Sequence, residues 1–206
     1  MAEVEVAGRE GGWLRSSLDL MVAFAALATS ISSIWLALAQ GDDMQRLVQA
    51  QSWPYIGFHS GNSTLDEASH QRLRSLGFTV VNQGVGPARV RWMEVRVDGA
   101  AVPNTTALML RAARLPADAR IDRRDVYTSG IAGRVMRAGE EITFLRWHHA
   151  AQREPVWTAL DKARFGRIEI RACYCSVFDE CWISHSETPD TLRVDQCPTL
   201  AVPFRE

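Results

Sequence analysis

Three of the four cysteines lie within the stretch CYCSVFDECW, at Cys173, Cys175 and Cys181, and the fourth is Cys197. Grouped thiols have three uses: they hold a soft metal, they cycle between thiol and disulfide, or they staple a fold. The spacing C-x-C-x5-C with one distant cysteine does not match the paired C-x2-C knuckles of common zinc sites. A redox centre would favour C-x-x-C. Two disulfides are the reading the spacing favours. Of the three pairings open to four cysteines, any that joins Cys173 to Cys175 is disfavoured. Same-face neighbours on a strand sit about 6.6–7 Å apart between Cα atoms. The expected pairs are Cys175–Cys181 and Cys173–Cys197, with no metal and no cofactor.

Other chemistry-bearing residues do not converge. His148 and His149 are adjacent on a candidate strand and would face opposite ways, while His59, His70 and His185 are isolated. Asp179-Glu180 is an acidic pair, but a turn between half-cystines accounts for it. Asp66-Glu67 and the DRRD stretch Asp122–Asp125 read as solvated loops. Ser129-Gly130 and the GVGPA loop lack the flanking pattern of a nucleophile elbow or a phosphate cradle. No catalytic residue is assigned, and the expectation is a protein that is not an enzyme. Trp53, Trp92, Trp147, Trp157 and Trp182 read as core, with a binding patch as the rival use.

Which side of a membrane the cysteines occupy is set at the other end of the chain. Leu20 to Gln40 carries no charge. At 1.5 Å per residue such a helix spans about 30 Å, the hydrocarbon thickness of a bilayer. A cleaved secretory signal competes, because Ala37-Leu38-Ala39 before Gln40 has the small-x-small pattern of a cleavage site. Against it, the preceding segment holds Glu3, Glu5, Glu10 and Asp19 with only Arg9 and Arg15, whereas signals begin basic. A core helix is a third option. A retained anchor is favoured, with a short cytoplasmic tail (1–17), a transmembrane helix (18–40), a helical extension (41–52) and an outer domain (53–206). Arg9 and Arg15 before the span, against Arg46 after it, point to a cytoplasmic N-terminus. All four cysteines follow the span, which suits an oxidising compartment.

Beyond Pro54, which ends the helix, the chain reads mostly as strand. YIGFHS is one candidate. FTVVN and ARVRWMEVRV are two more, joined by a turn at Gly84, Gly86 and Pro87. A change of phase between Trp92 and Val95 suggests a bulge, and Asp98-Gly99 a tight turn. Further strands flank Ala138-Gly139-Glu140. In RFGRIEIRACYC, Ile168, Ile170, Ala172 and Tyr174 share one face and Glu169, Arg171, Cys173 and Cys175 the other. Helices are predicted over Thr105–Leu115, capped by Thr105 or Thr106, and over Glu154–Arg164. Short strands separated by frequent turns predict a mainly β fold, a sandwich with small helical insertions preceded by one transmembrane helix.

The order of anchor helix, QSWPYIGF, FTVVNQGVGPARVRWMEVRVDG and CYCSVFDECW resembles a loose group of uncharacterised bacterial single-pass membrane proteins. The middle segment is similar to the N-x-G, valine-rich strand, D-G hairpin of immunoglobulin-like bacterial surface modules. The resemblance implies an immunoglobulin-like outer domain and an inner-membrane address with that domain in the periplasm; it implies no activity.

The charge balance, 23 Lys+Arg against 24 Asp+Glu, gives no field for nucleic acid. The expected partner is the membrane itself, spanned once, together with a membrane protein or a second copy of the chain. Ala26, Ser30, Ser33 and Ala37 share one helix face suited to close helix packing. The functional expectation is a non-catalytic accessory or structural subunit of an envelope complex. The alternative is a ligand- or metal-binding receptor, disfavoured by the short segment before the span.

Overall fold

A computed structural model describes the backbone of residues 11–65, 72–148 and 155–206, with side chains described for 18–63, 74–148 and 155–206. The expectations resting on Glu3, Glu5, Arg9, Glu10, Asp66-Glu67, His70 and His149 lie outside the described residues, as does the Arg15 side chain. The chain forms two compact units, Met1–Val48 and Gln49–Glu206. The second starts slightly earlier than the 53–206 boundary read from the sequence.

Helix α1 (Gly11–Gln51) is continuous, so the apolar run and its extension are one element. It is the one helix among the described residues long and apolar enough to cross a membrane. Among its described residues, the large apolar side chains, including Phe24, Leu27, Ile31, Ile34 and Leu38, are exposed. Ser30 and Ser33 donate their hydroxyls to the carbonyls of Ala26 and Thr29, each at 2.7 Å.

The second unit is built from two antiparallel sheets. One runs β1 (Ile56–Gly61), β4 (Ser75–Asn82), β9 (Glu141–His148) and β7 (Val126–Thr128) in that spatial order. The other runs β12 (Leu192–Val194), β11 (Cys181–His185), β10 (Ile168–Cys175), β5 (Ala88–Val97) and β6 (Ala100–Val102). Strand β8 (Val135–Met136) also pairs with β5. A small separate ribbon joins β2 (Thr64–Leu65) to β3 (Arg72–Leu73). Helices α2 (Thr105–Ala112) and α3 (Pro155–Ala163) are insertions. The mainly β, sandwich-like architecture matches the sequence reading.

One core joins the inner faces of the two large sheets and helices α2 and α3. Leu76, Phe78 and Val80 come from β4, Val95 and Val97 from β5, and Ile168, Ile170, Ala172 and Tyr174 from β10. Burying each large apolar side chain contributes about 1.5–3 kcal/mol. Trp147, Trp157 and Trp182 belong to this core and Trp92 to a second cluster, leaving Trp53 exposed.

Four local details differ from the sequence reading. The two strands around Gly84-Val85-Gly86 lie in different sheets, so the turn is a corner between layers. A Cβ at Gly84 would lie 2.4 Å from the Trp53 carbonyl oxygen, and one at Gly86 2.1 Å from that of Ser52. The glycines therefore serve close backbone approach to the entering chain. The phase change on β5 falls at Arg91, because Trp92 pairs with Cys173 and Val90 with Tyr174. Asn104, rather than Thr105 or Thr106, caps α2, its side chain accepting from the Ala107 amide at 2.9 Å.

Candidate functional site

Strands β10 and β11 place the cysteine cluster. Arg171 to Cys175 pair with His185 to Cys181, so Cys175 lies directly opposite Cys181. Cys173 and Cys175 point to the outer face of the sheet, away from the Tyr174 side, as the alternation requires. The turn between the strands closes with a Ser176 amide bond to the Glu180 carbonyl (2.8 Å), and Asp179 adopts φ +60°.

All four cysteines are paired. Cys173 is bonded to Cys197 and Cys175 to Cys181, the two pairings read from the sequence. The first ties the C-terminal segment over the outer face of β10. There Trp92, Cys173 and Ile183 pack against Val194, Cys197 and Leu200. The Trp92 indole donates to the Pro198 carbonyl at 2.7 Å. Farther on, Phe204 is buried in the main core, its ring edge-on to Phe144, and its amide donates to the Met93 carbonyl. The tail thus fills a stretch of β5 between the partners β6 and β8.

The two disulfides touch. Cys175 Sγ lies 3.9 Å from Cys197 Sγ, and the sulfurs of Cys175, Cys181 and Cys197 all lie within 4.8 Å of one another. They line an open cleft of about 500 Å³ together with Arg91, Trp92, Asp179 and Arg205. Cys173 is fully buried, whereas Cys197 is half-buried. Two disulfides in this β domain fit an oxidising compartment.

The acidic pair of the turn is engaged in ion pairs. Asp179 accepts from Arg89, with Arg91 at 3.8 Å, and Glu180 accepts from Arg193 at 2.8 Å. Asp122 is held down at about 2 by hydrogen bonds from the Arg124 side chain and then its amide, as suits a solvated loop. His59 contacts Gln83, His185 lies 3.8 Å from Glu169, and His148 stacks edge-on to Tyr127. None of these three meets another histidine in a described contact.

Three features have contacts that the sequence does not announce. Glu94, almost fully buried on the outer face, is hydrogen-bonded by Arg96 at 2.9 Å and by Arg171 on the neighbouring strand. Asn82, buried at the corner, donates to the carbonyls of Gly86 and Met136 and accepts from the amides of Tyr55 and Gly84. Burial pushes the Tyr174 phenol up to about 12. Alternation predicts that Glu94 lies outward, but not that two arginines close over it.

No family model matches the chain, and neither curated proteins nor solved structures show a match. What the fold and site define is a two-sheet β domain, doubly cross-linked, attached to one helix able to span a membrane.

Proposed function

We propose that the protein is a non-catalytic interaction module of the bacterial envelope, anchored in the inner membrane by α1, with its N-terminus cytoplasmic and its β domain periplasmic. It acts there as an accessory or structural subunit. The observation that carries this reading is α1 itself: from Leu18 to Leu38 every side chain is exposed. Each large apolar group left in water forgoes about 1.5–3 kcal/mol of burial, and lipid supplies that burial. The paired cysteines favour the oxidising side for the domain, and the arginines flanking the span favour the stated orientation.

An immunoglobulin-like identity for the domain is supported by strand order. Setting aside the short ribbon, β8 and β12, the order β1-β4-β9-β7 corresponds to A-B-E-D. The order β11-β10-β5-β6 corresponds to G-F-C-C′. The cross-links depart from the antibody pattern, since they join β10 to β11 and to the C-terminal segment and do not bridge the sheets. Such a sandwich hosts many functions, so the interaction role rests on the anchor and on the engagement of the acidic candidates in ion pairs.

The face carrying Ala26, Ser30, Ser33 and Ala37 is the proposed contact with another helix, from a membrane protein or a second copy. Its serine hydroxyls are already satisfied within α1, so a neighbouring backbone can approach without stranding a donor. The test uses full-length protein extracted from membranes. Intact mass should show a retained N-terminus, and crosslinking should capture a stoichiometric membrane partner that the Ser30→Leu/Ser33→Leu variant loses. A mature chain beginning at Gln40 overturns the anchor. Unchanged crosslinking in the variant overturns the helix contact.

A further inference from the structure

The sulfur cluster has more connectivity than two independent staples require. The cleft is lined by Cys175, Cys181 and Cys197, and Cys175 Sγ sits 3.9 Å from a sulfur of the other disulfide. Disulfides exchange when a thiolate attacks one sulfur and expels the other, and access and nearby positive charge govern which sulfur reacts. Arg91 and Arg205 line this cleft together with Asp179 and Asp195, so its charges balance and the opening itself admits the thiolate. Cys173 does not line it; it is buried against Trp92 and Ile183.

We propose that the cleft is a thiol–disulfide exchange site for a dithiol, with the two disulfides acting as a relay whose alternative linkage is Cys175–Cys197. In the first step one thiolate of the dithiol attacks Cys181 Sγ, forming a mixed disulfide and releasing Cys175 as a thiolate. The second thiolate of the dithiol then attacks its own sulfur in that mixed disulfide. This closes the oxidised dithiol and releases Cys181, which takes up one of the dithiol's two protons. The Cys175 thiolate attacks Cys197 Sγ, forming Cys175–Cys197 and expelling Cys173, which takes the other proton. In sum, one dithiol is oxidised to a disulfide, and the protein gains two electrons and two protons as thiols at Cys173 and Cys181. A neutral thiol at Cys173 is at ease in its apolar site, since a free cysteine packs there as a small hydrophobe. The C-terminal segment remains covalently tied to β10 in the product, because the link moves from Cys173 to Cys175 on the same face.

The test treats the folded full-length protein in detergent with one equivalent of dithiothreitol at mildly alkaline pH, followed by acid quenching, alkylation and peptide mapping. Trypsin with chymotrypsin separates the cysteines, because Tyr174 lies between Cys173 and Cys175 and Phe178 between Cys175 and Cys181. The expected product carries equal label on Cys173 and Cys181 and a Cys175–Cys197 cross-link. Label confined to Cys175 and Cys181, or to Cys173 and Cys197, overturns the relay, as does a statistical spread over all pairings. A Cys181→Ser variant gives an independent reading, since it leaves a permanent Cys175 thiol beside Cys197. Both Cys173–Cys197 and Cys175–Cys197 molecules are expected in it, and Cys173–Cys197 alone overturns the proposal.

Discussion

Removing each disulfide as a pair should destabilise the β domain by different amounts, in an order set by loop length. Cys173 and Cys197 are separated by 24 residues, Cys175 and Cys181 by 6. Loop-closure entropy then gives about 3.5 kcal/mol at 25 °C for the first link and about 2.2 kcal/mol for the second. The estimate applies only if the native geometry survives the loss. Around Cys197 it should: β12 remains paired to β11, Trp92 still donates to Pro198, and Phe204 stays in the core. Most of the effect therefore falls on the unfolded chain. The assay is equilibrium urea unfolding of full-length protein in micelles, followed by tryptophan fluorescence, for Cys173→Ala/Cys197→Ala and Cys175→Ala/Cys181→Ala. The first variant should lose about 1.2 kcal/mol more than the second, with a denaturant slope that steepens as the unfolded chain is released. Equal losses, or the reverse order, refute the entropic account. So does a first variant that merely frays at residues 195–206 while its main transition stays put.

Three further outcomes follow from particular contacts. Gly86→Ala should disrupt the corner and the entry of the chain into the domain, because its Cβ meets Ser52 backbone at 2.1 Å; faster amide exchange at Gln83 and Val85 would register it, and unchanged protection there would contradict it. Glu94→Ala should cost about 2–3 kcal/mol in urea unfolding, since it strands Arg171 and Arg96 with side chains only 22% and 33% exposed, whereas a loss below about 0.5 kcal/mol would mean that solvent replaces the carboxylate. Tyr174 is raised from 10.0 to about 12, so the folded state holds its proton more tightly: stability is unaffected below pH 10 and falls as pH rises toward 12, by roughly 2–3 kcal/mol. Tyr174→Phe should flatten that alkaline slope, and an unchanged slope would assign it elsewhere.

The elements most legible in the sequence were those governed by local periodicity. An uncharged run of bilayer length specifies a helix whatever surrounds it, and α1 forms over it. The strict alternation of Ile168, Ile170, Ala172 and Tyr174 with Glu169, Arg171, Cys173 and Cys175 fixes which side of β10 is core. It also places Cys173 and Cys175 on one face, leaving each to seek a partner across a turn or from another segment. Strand geometry therefore set aside the Cys173–Cys175 link and left two connectivities open, of which the expected one is observed.

What required the tertiary structure was every relation between segments distant in sequence. Gly84 and Gly86 look like turn glycines until Ser52–Tyr55 is laid against them, since close approach depends on a second piece of backbone. The sheet assignment of β4 and β5 depends on partners more than fifty residues away, β9 and β10, which no local pattern names. Glu94 is buried only because Arg171 arrives on the adjacent strand and Arg96 folds over it. The contact between the two disulfides is the clearest case. Spacing can pair cysteines, but the 3.9 Å between Cys175 and Cys197 is set by a C-terminal segment that Phe204 and β12 hold across the sheet.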